Sequence, residues 1–133
     1  MLARCVVFTN VHDSDNNVYR IAERQYSANG NGFYKQILVD MLILGGYIDG
    51  YKTVGAGCHD SMAFVLNDGT RFNRKLHINC DLNLGDTLSY QDSFKYYNID
   101  ERIAYNYEDD DYTHSLATTE GRLAGNWDEL NVS

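Results

Sequence analysis

Proline is absent from this 133-residue chain, cysteine is confined to Cys5, Cys58 and Cys80, and basic residues are few. Three cysteines cannot all pair with one another, and no secretory leader precedes them. That combination predicts a reduced protein of the cytoplasm rather than a disulfide scaffold. The N-terminus is apolar for only four residues after Arg4, Cys5 to Phe8, before it turns polar at Thr9 and Asn10, so the core of a signal peptide is missing. The longest apolar stretch, Ile37 to Leu44, is interrupted by Asp40. A spanning helix needs about 20 apolar residues, so no membrane partner is expected. Eleven Lys and Arg stand against 19 Asp and Glu, a formal charge of −8. Phosphates would be repelled by that field, which argues against direct binding of nucleic acid or anionic lipid. There is no internal repeat.

What the chain does contain is enough apolar side chain, 44% hydrophobic and 13% aromatic, for a core in one domain spanning residues 1–133. Residues 3–11 are rich in β-branched and aromatic types, and 18–26 alternate. Between them His12-Asp13-Ser14-Asp15-Asn16-Asn17 is a turn cluster, so the three segments predict a β-hairpin. Nine of the twelve residues from Phe33 to Leu44 are apolar or aromatic, with Phe33, Ile37 and Met41 on one stripe and Tyr34, Leu38 and Leu42 beside it. This predicts a helix at about 33–45, ended by Gly45-Gly46 and used as a core element. So wide an apolar face also leaves a surplus that a homodimer would bury. A short strand is expected within Tyr47–Val54, and Asp68-Gly69 between Met62–Leu66 and Thr70–Leu82 predicts a second hairpin. On its second arm Phe72, Leu76, Ile78, Cys80 and Leu82 point one way and Arg71, Asn73, Lys75, His77 and Asn79 the other. Arg74 falls on the apolar side and needs an edge or a partner. The expected fold class is α+β: a mainly antiparallel sheet, about four to six strands in hairpins, packed on one apolar helix, with an acidic Tyr-rich C-terminal region.

No run of residues meets the geometry of a known reaction. Asp13-Ser14-Asp15-Asn16-Asn17 begins like a calcium loop but has Val18 at the sixth position and Arg24 at the twelfth, where glycine and glutamate are required. Gly55-Ala56-Gly57 lacks the third glycine of a dinucleotide fingerprint and the Lys-Ser or Lys-Thr of a phosphate loop. Cys58-His59-Asp60-Ser61 holds nucleophile, base and carboxylate types, but adjacent residues diverge in direction instead of converging. His77-x-x-Cys80 with Cys58-His59 supplies zinc-ligand types on opposite sides of a strand, so no metal is expected. Neither catalytic residues nor a cofactor follow from these patterns. A small enzyme using Cys58, His59 or His77 is the last of three readings.

Charge is distributed unevenly. Residues 1–80 carry eight Lys and Arg against seven Asp and Glu, a balance of +1, whereas residues 81–133 carry three against twelve, a balance of −9. The acidic part also holds six of the eleven tyrosines. Asp100, Glu101, Tyr105, Tyr107, Glu108, Asp109, Asp110, Asp111 and Tyr112 interleave carboxylates with phenols. Carboxylates in a row imitate the phosphates of a nucleic acid, and tyrosine adds contact area at low entropic cost. The leading expectation is therefore a non-enzymatic inhibitor or adaptor that occupies a basic, nucleic-acid-binding site on a partner protein. In size and acidity the chain resembles viral counter-defence proteins, anti-CRISPR proteins among them, although that resemblance is compositional and rests on no motif. A small-ligand or nucleotide binder that uses the tyrosines is the second reading.

Overall fold

The computed structural model describes residues 2–57, 60–72, 74–81, 93–94, 96–98, 101–107, 114–115, 124–125 and 127–132. Cys58, His59, Asp100 and the run from Glu108 to Tyr112 lie outside them, as does the side chain of Cys80.

The fold is α+β, a mixed and mainly antiparallel sheet with one long helix. Its axis is the strand β1 (Ala3–Asp13), long enough to be paired along both edges. On one edge lie β2 (Val18–Ala22) and the short β3 (Tyr26–Ser27). On the other lie β6 (Leu76–Asp81) opposite Val11–Asp13 and β11 (Trp127–Val132) opposite Ala3–Phe8. The hairpin read from the sequence is present, but residues 18–26 do not form one strand. The Glu23 N–H still donates to the Val6 carbonyl at 2.8 Å, after which the chain leaves the ladder and rejoins it at Tyr26, with the Glu23 and Gln25 side chains turned into a buried polar cluster.

The turn of the first hairpin is organised by Asp13, whose buried carboxylate accepts from the backbone of Asp15 (2.9 Å) and Asn17 (3.0 Å), from the Asn17 amide (3.0 Å) and from the Tyr19 hydroxyl (3.0 Å). Arg74 reaches the same carboxylate at 3.2 Å, so the misplaced arginine of the sequence pattern has its partner.

A single 3-10 turn, Ala28–Gly30, leads into α1 (Gly32–Leu44), capped by the Asn31 side chain, which accepts from the Phe33 N–H. Beyond it Gly46 takes a positive φ of 72°, which stops the helix. The chain then returns as β4 (Gly50–Lys52), parallel to β2, as a helical crossover allows. Gly50 is required there: a Cβ would sit 2.7 Å from the Val65 carbonyl oxygen on the neighbouring β5 (Phe64–Leu66). The hairpin at Asp68-Gly69 is shorter than its sequence suggests. After β5 only Arg71 among the described residues bridges back, to Val65, and β6 crosses to pair with β1 and with β8 (Ile103–Tyr105). Next to β8 lies β7 (Tyr96–Asn98), and beside that β9 (His114–Ser115), while β10 (Ala124–Gly125) pairs with β6. Ile103 thus lies on a strand and Tyr107 two residues beyond its end.

Each face of the sheet carries a core. One is aromatic-rich: Val6, Phe8, Val11, Ile21, Phe64, Phe72, Leu76, Ile78, Phe94 and Ala104. The other lies under α1 and comprises Ala3, Cys5, Val7, Ala22, Leu38, Leu42 and Ile48. A register shift between Phe8 and Val11 exchanges the faces along β1, so that Val11 joins the aromatic core and His12 emerges on the helix side. The helix is not the all-round core element that its composition suggests. Leu38, Val39 and Leu42 are buried, whereas Phe33, Met41 and Leu44 of the opposite face are exposed. Among the described residues no helix is long and apolar enough to cross a membrane.

Candidate functional site

Helix α1 covers the part of its sheet face built by the first half of β1. Beyond the register shift the same face continues over the end of β1 and then β6, β8 and β7. Cross-strand partners share a face. Register therefore aligns His12 with His77, His77 with Tyr105, and Tyr105 with Tyr96. These four side chains are all partly exposed. The His12 and His77 rings lie 5.4 Å apart and 15° from parallel, and the Tyr105 ring is 5.5 Å from His77. Two residues on, Tyr107 meets Tyr105 edge-on at 5.2 Å, and the Lys75 ammonium sits 4.8 Å from the Tyr107 ring centre. The Tyr105 hydroxyl donates to Glu101 at 3.3 Å, and the Glu101 backbone N–H is held by the Asn98 side chain.

The result is a row of rings with a cation at one margin and a carboxylate nearby. Burial, and then the neighbouring His12, lower the His77 pKa, while the carboxylates of Asp13 and Glu101 oppose the shift. Asn106 anchors the strand beneath: its side chain accepts from the Leu76 N–H (2.8 Å) and donates to the carbonyls of Arg74 (3.1 Å) and Ser61 (3.2 Å). It thereby fixes Tyr105 and Tyr107 on the same side.

Of the residues singled out from the sequence, Glu101, Tyr105 and Tyr107 are thus brought together. Asp100, Glu108, Asp109, Asp110, Asp111 and Tyr112 lie outside the described residues. The ring companions His12, His77, Lys75 and Tyr96 were missed as a group. Alternation had placed Lys75 and His77 on the polar side of their strand, but only the pairing of β6 with β1 and β8 discloses the row. Among the described residues no three His, Cys, Asp or Glu side chains converge as metal ligands.

A second polar cluster is sealed inside. Lys52 is 0% and Glu23 1% exposed, with the ammonium 3.5 Å from Oε1 of the carboxylate. Glu23 also accepts from the Ser93 hydroxyl (2.9 Å) and from the backbone N–H groups of Arg24 (2.9 Å) and Ser93 (3.3 Å). The Gln25 amide donates to the Lys52 carbonyl at 2.9 Å. Among the described residues the Lys52 ammonium makes the ion pair with Glu23 but no hydrogen bond. Burial, and then the Glu23 charge, push the Cys5 thiol up to about 12. It is a thiol at neutral pH and a poor nucleophile. This cluster ties Ser93 to Glu23 and is closed to solvent, so the partly exposed ring row is the better candidate site. Comparison with protein-family models, with curated proteins and with solved structures returns no match.

Proposed function

We propose that the chain is a non-enzymatic protein-interaction module whose acidic, tyrosine-bearing C-terminal part occupies a basic, nucleic-acid-binding surface of a partner protein. The observation that carries this reading is the placement of Tyr105 and Tyr107 on the open sheet face, in mutual ring contact, at the point where the chain enters Glu108-Asp109-Asp110-Asp111. Rings held by their neighbours lose little rotamer freedom on docking. The balance of −9 over residues 81–133 would draw in a basic surface at long range. Tyr105 and Tyr107 are the short-range anchors, and the carboxylates steer.

The test replaces Glu108, Asp109, Asp110 and Asp111 with their amides and, separately, Tyr105 and Tyr107 with alanine. Immobilised protein is challenged with a nuclease-containing bacterial lysate at low and high salt, and association kinetics are measured on any basic protein retained. Slower association for the amide variant and faster dissociation for the tyrosine variant are expected. Equal rates for all three proteins would overturn the reading. The second reading, a small-ligand or nucleotide binder, draws on the His12–His77–Tyr105 row, since flat rings favour a planar ligand. A thermal-shift screen with nucleotides separates the two. Of the residues of the enzyme reading, Cys58 and His59 lie outside the described residues and His77 belongs to the ring row.

A further inference from the structure

Away from the ring row, the outward side of α1 presents an apolar stripe. Phe33, Ile37, Met41 and Leu44 recur at helical spacing, and Phe33, Met41 and Leu44 are 68%, 53% and 88% exposed. Tyr47, 59% exposed, folds back over Gly45 and extends the stripe past the end of the helix. A single helix in water normally turns such a face inward, and here the inward face is already filled by Leu38, Val39 and Leu42.

We infer that this stripe is the interface of a two-fold homodimer, built by Phe33, Met41, Leu44 and Tyr47 of each copy around Ile37. Area supports it. Side chains of this size exposed to this degree leave roughly 500 Å² of apolar surface in one patch, at the upper end for a monomer. Two copies of the patch remove about 1,000 Å², the level at which specific interfaces begin. Shape fits a second copy as the occupant, and charge places the contact on this face. Phe33, Ile37 and Met41 form a ridge at four-residue spacing, which packs into the grooves of an identical ridge, and a two-fold axis requires a self-complementary patch. Each copy carries −8, so copies repel over most of their surface. Along the stripe the one formal charge among the described residues is Asp40, held by a 2.9 Å hydrogen bond from Gln36. Like-charged chains approach best through such a face.

Sedimentation equilibrium of the full chain from micromolar to near-millimolar concentration is the test, combined with hydroxyl-radical footprinting of Met41. The expected result is a concentration-dependent dimer with Met41 protected in step with dimerisation. Met41→Glu and Leu44→Lys, which add opposite charges at exposed positions, should each weaken association at least tenfold with an unchanged circular dichroism spectrum. A monomer at every concentration overturns the inference, whether Met41 is reactive or is protected by the chain's own residues. A dimer that tolerates both substitutions places the interface elsewhere and overturns it equally.

Discussion

The two faces of the sheet solve burial in different ways. One is closed: an aromatic core in which Phe94 meets Phe8 edge-on at 5.1 Å, bordered by a sealed ion pair. The other is half covered: α1 caps a small aliphatic core, and beyond it the sheet presents rings to solvent. Where the face is closed, charged groups survive only by satisfying one another. Where it is open, histidine and tyrosine serve because one side of each ring can pack while its polar edge stays wet. Closed polar groups hold the fold together, and the partly exposed rings are where the proposed partner would dock.

The sharpest way to break that comparison is at the sealed pair. Glu23→Ala leaves the Lys52 charge buried and unpaired and removes the acceptor for Ser93, which should cost about 3–5 kcal/mol in denaturant unfolding. Glu23→Gln combined with Lys52→Met should recover most of that loss, because removing both charges removes both ionic desolvation penalties together. A single Glu23→Ala change within about 0.5 kcal/mol of the parent would mean that the pair is solvated.

The inward and outward faces of α1 sharpen the contrast next. Leu38→Ala opens a cavity between helix and sheet and should cost about 2–5 kcal/mol. Met41→Ala, made at a protein concentration where the chain is monomeric, should change stability by less than about 1 kcal/mol. Equal losses at the two positions would show that the outward stripe is packed.

Much of this contrast is legible in sequence where the cause is local. The β-branched and aromatic run of β1, the alternation on β2, the Asp13–Asn17 turn, the ends of α1 and the Asp68-Gly69 turn all follow from neighbours within a few residues. Periodicity establishes which side chains share a face, but not what lies over it. Phe33, Ile37 and Met41 were therefore expected inside on the same grounds that correctly place Leu38 and Leu42 there. Long-range pairing is harder still. The second arm of the Asp68-Gly69 hairpin looks like a partner for β5, yet Leu76–Asp81 joins β1 and β8. The contact between Glu23 and Ser93 spans 70 positions with no local trace. At the candidate site, Tyr105 and Tyr107 stand out by composition and charge, while His12 and His77 become neighbours only through register.

Acid titration separates the carboxylate at the hairpin from the rest. Burial works against the Asp13 charge, but hydrogen bonds from Asn17, Tyr19 and Asp15 outweigh it and hold the pKa down at about 2, from an ordinary 3.8. The folded chain therefore keeps Asp13 ionised after the unfolded chain has begun to protonate it. Its contribution to stability is complete above the ordinary value and disappears as pH falls towards 2. Asp13→Asn should lower stability at neutral pH and flatten the loss between pH 4 and 2, as read from thermal midpoints across that range. An acid limb as steep as that of the parent would assign the effect to other carboxylates.

The smallest effect expected belongs to the open face and concerns His77. Burial first, and His12 second, favour its neutral form, against the pull of Asp13 and Glu101. For a base with a lowered pKa the unfolded chain binds the proton more readily. The stabilising contribution is therefore whole above the ordinary value of 6.5 and fades as pH falls through the lower, folded one. His77→Phe keeps a ring between His12 and Tyr105 but cannot titrate, so its stability should vary less than that of the parent just below pH 6.5. His12→Phe supplies the sharper test, because it removes the second cause and leaves the first. In an NMR titration the His77 pKa should then rise part of the way towards its ordinary value, with burial accounting for what remains. A His77 pKa unmoved by His12→Phe would mean that the stacked rings do not share their protonation, and that packing alone sets the charge of this part of the face.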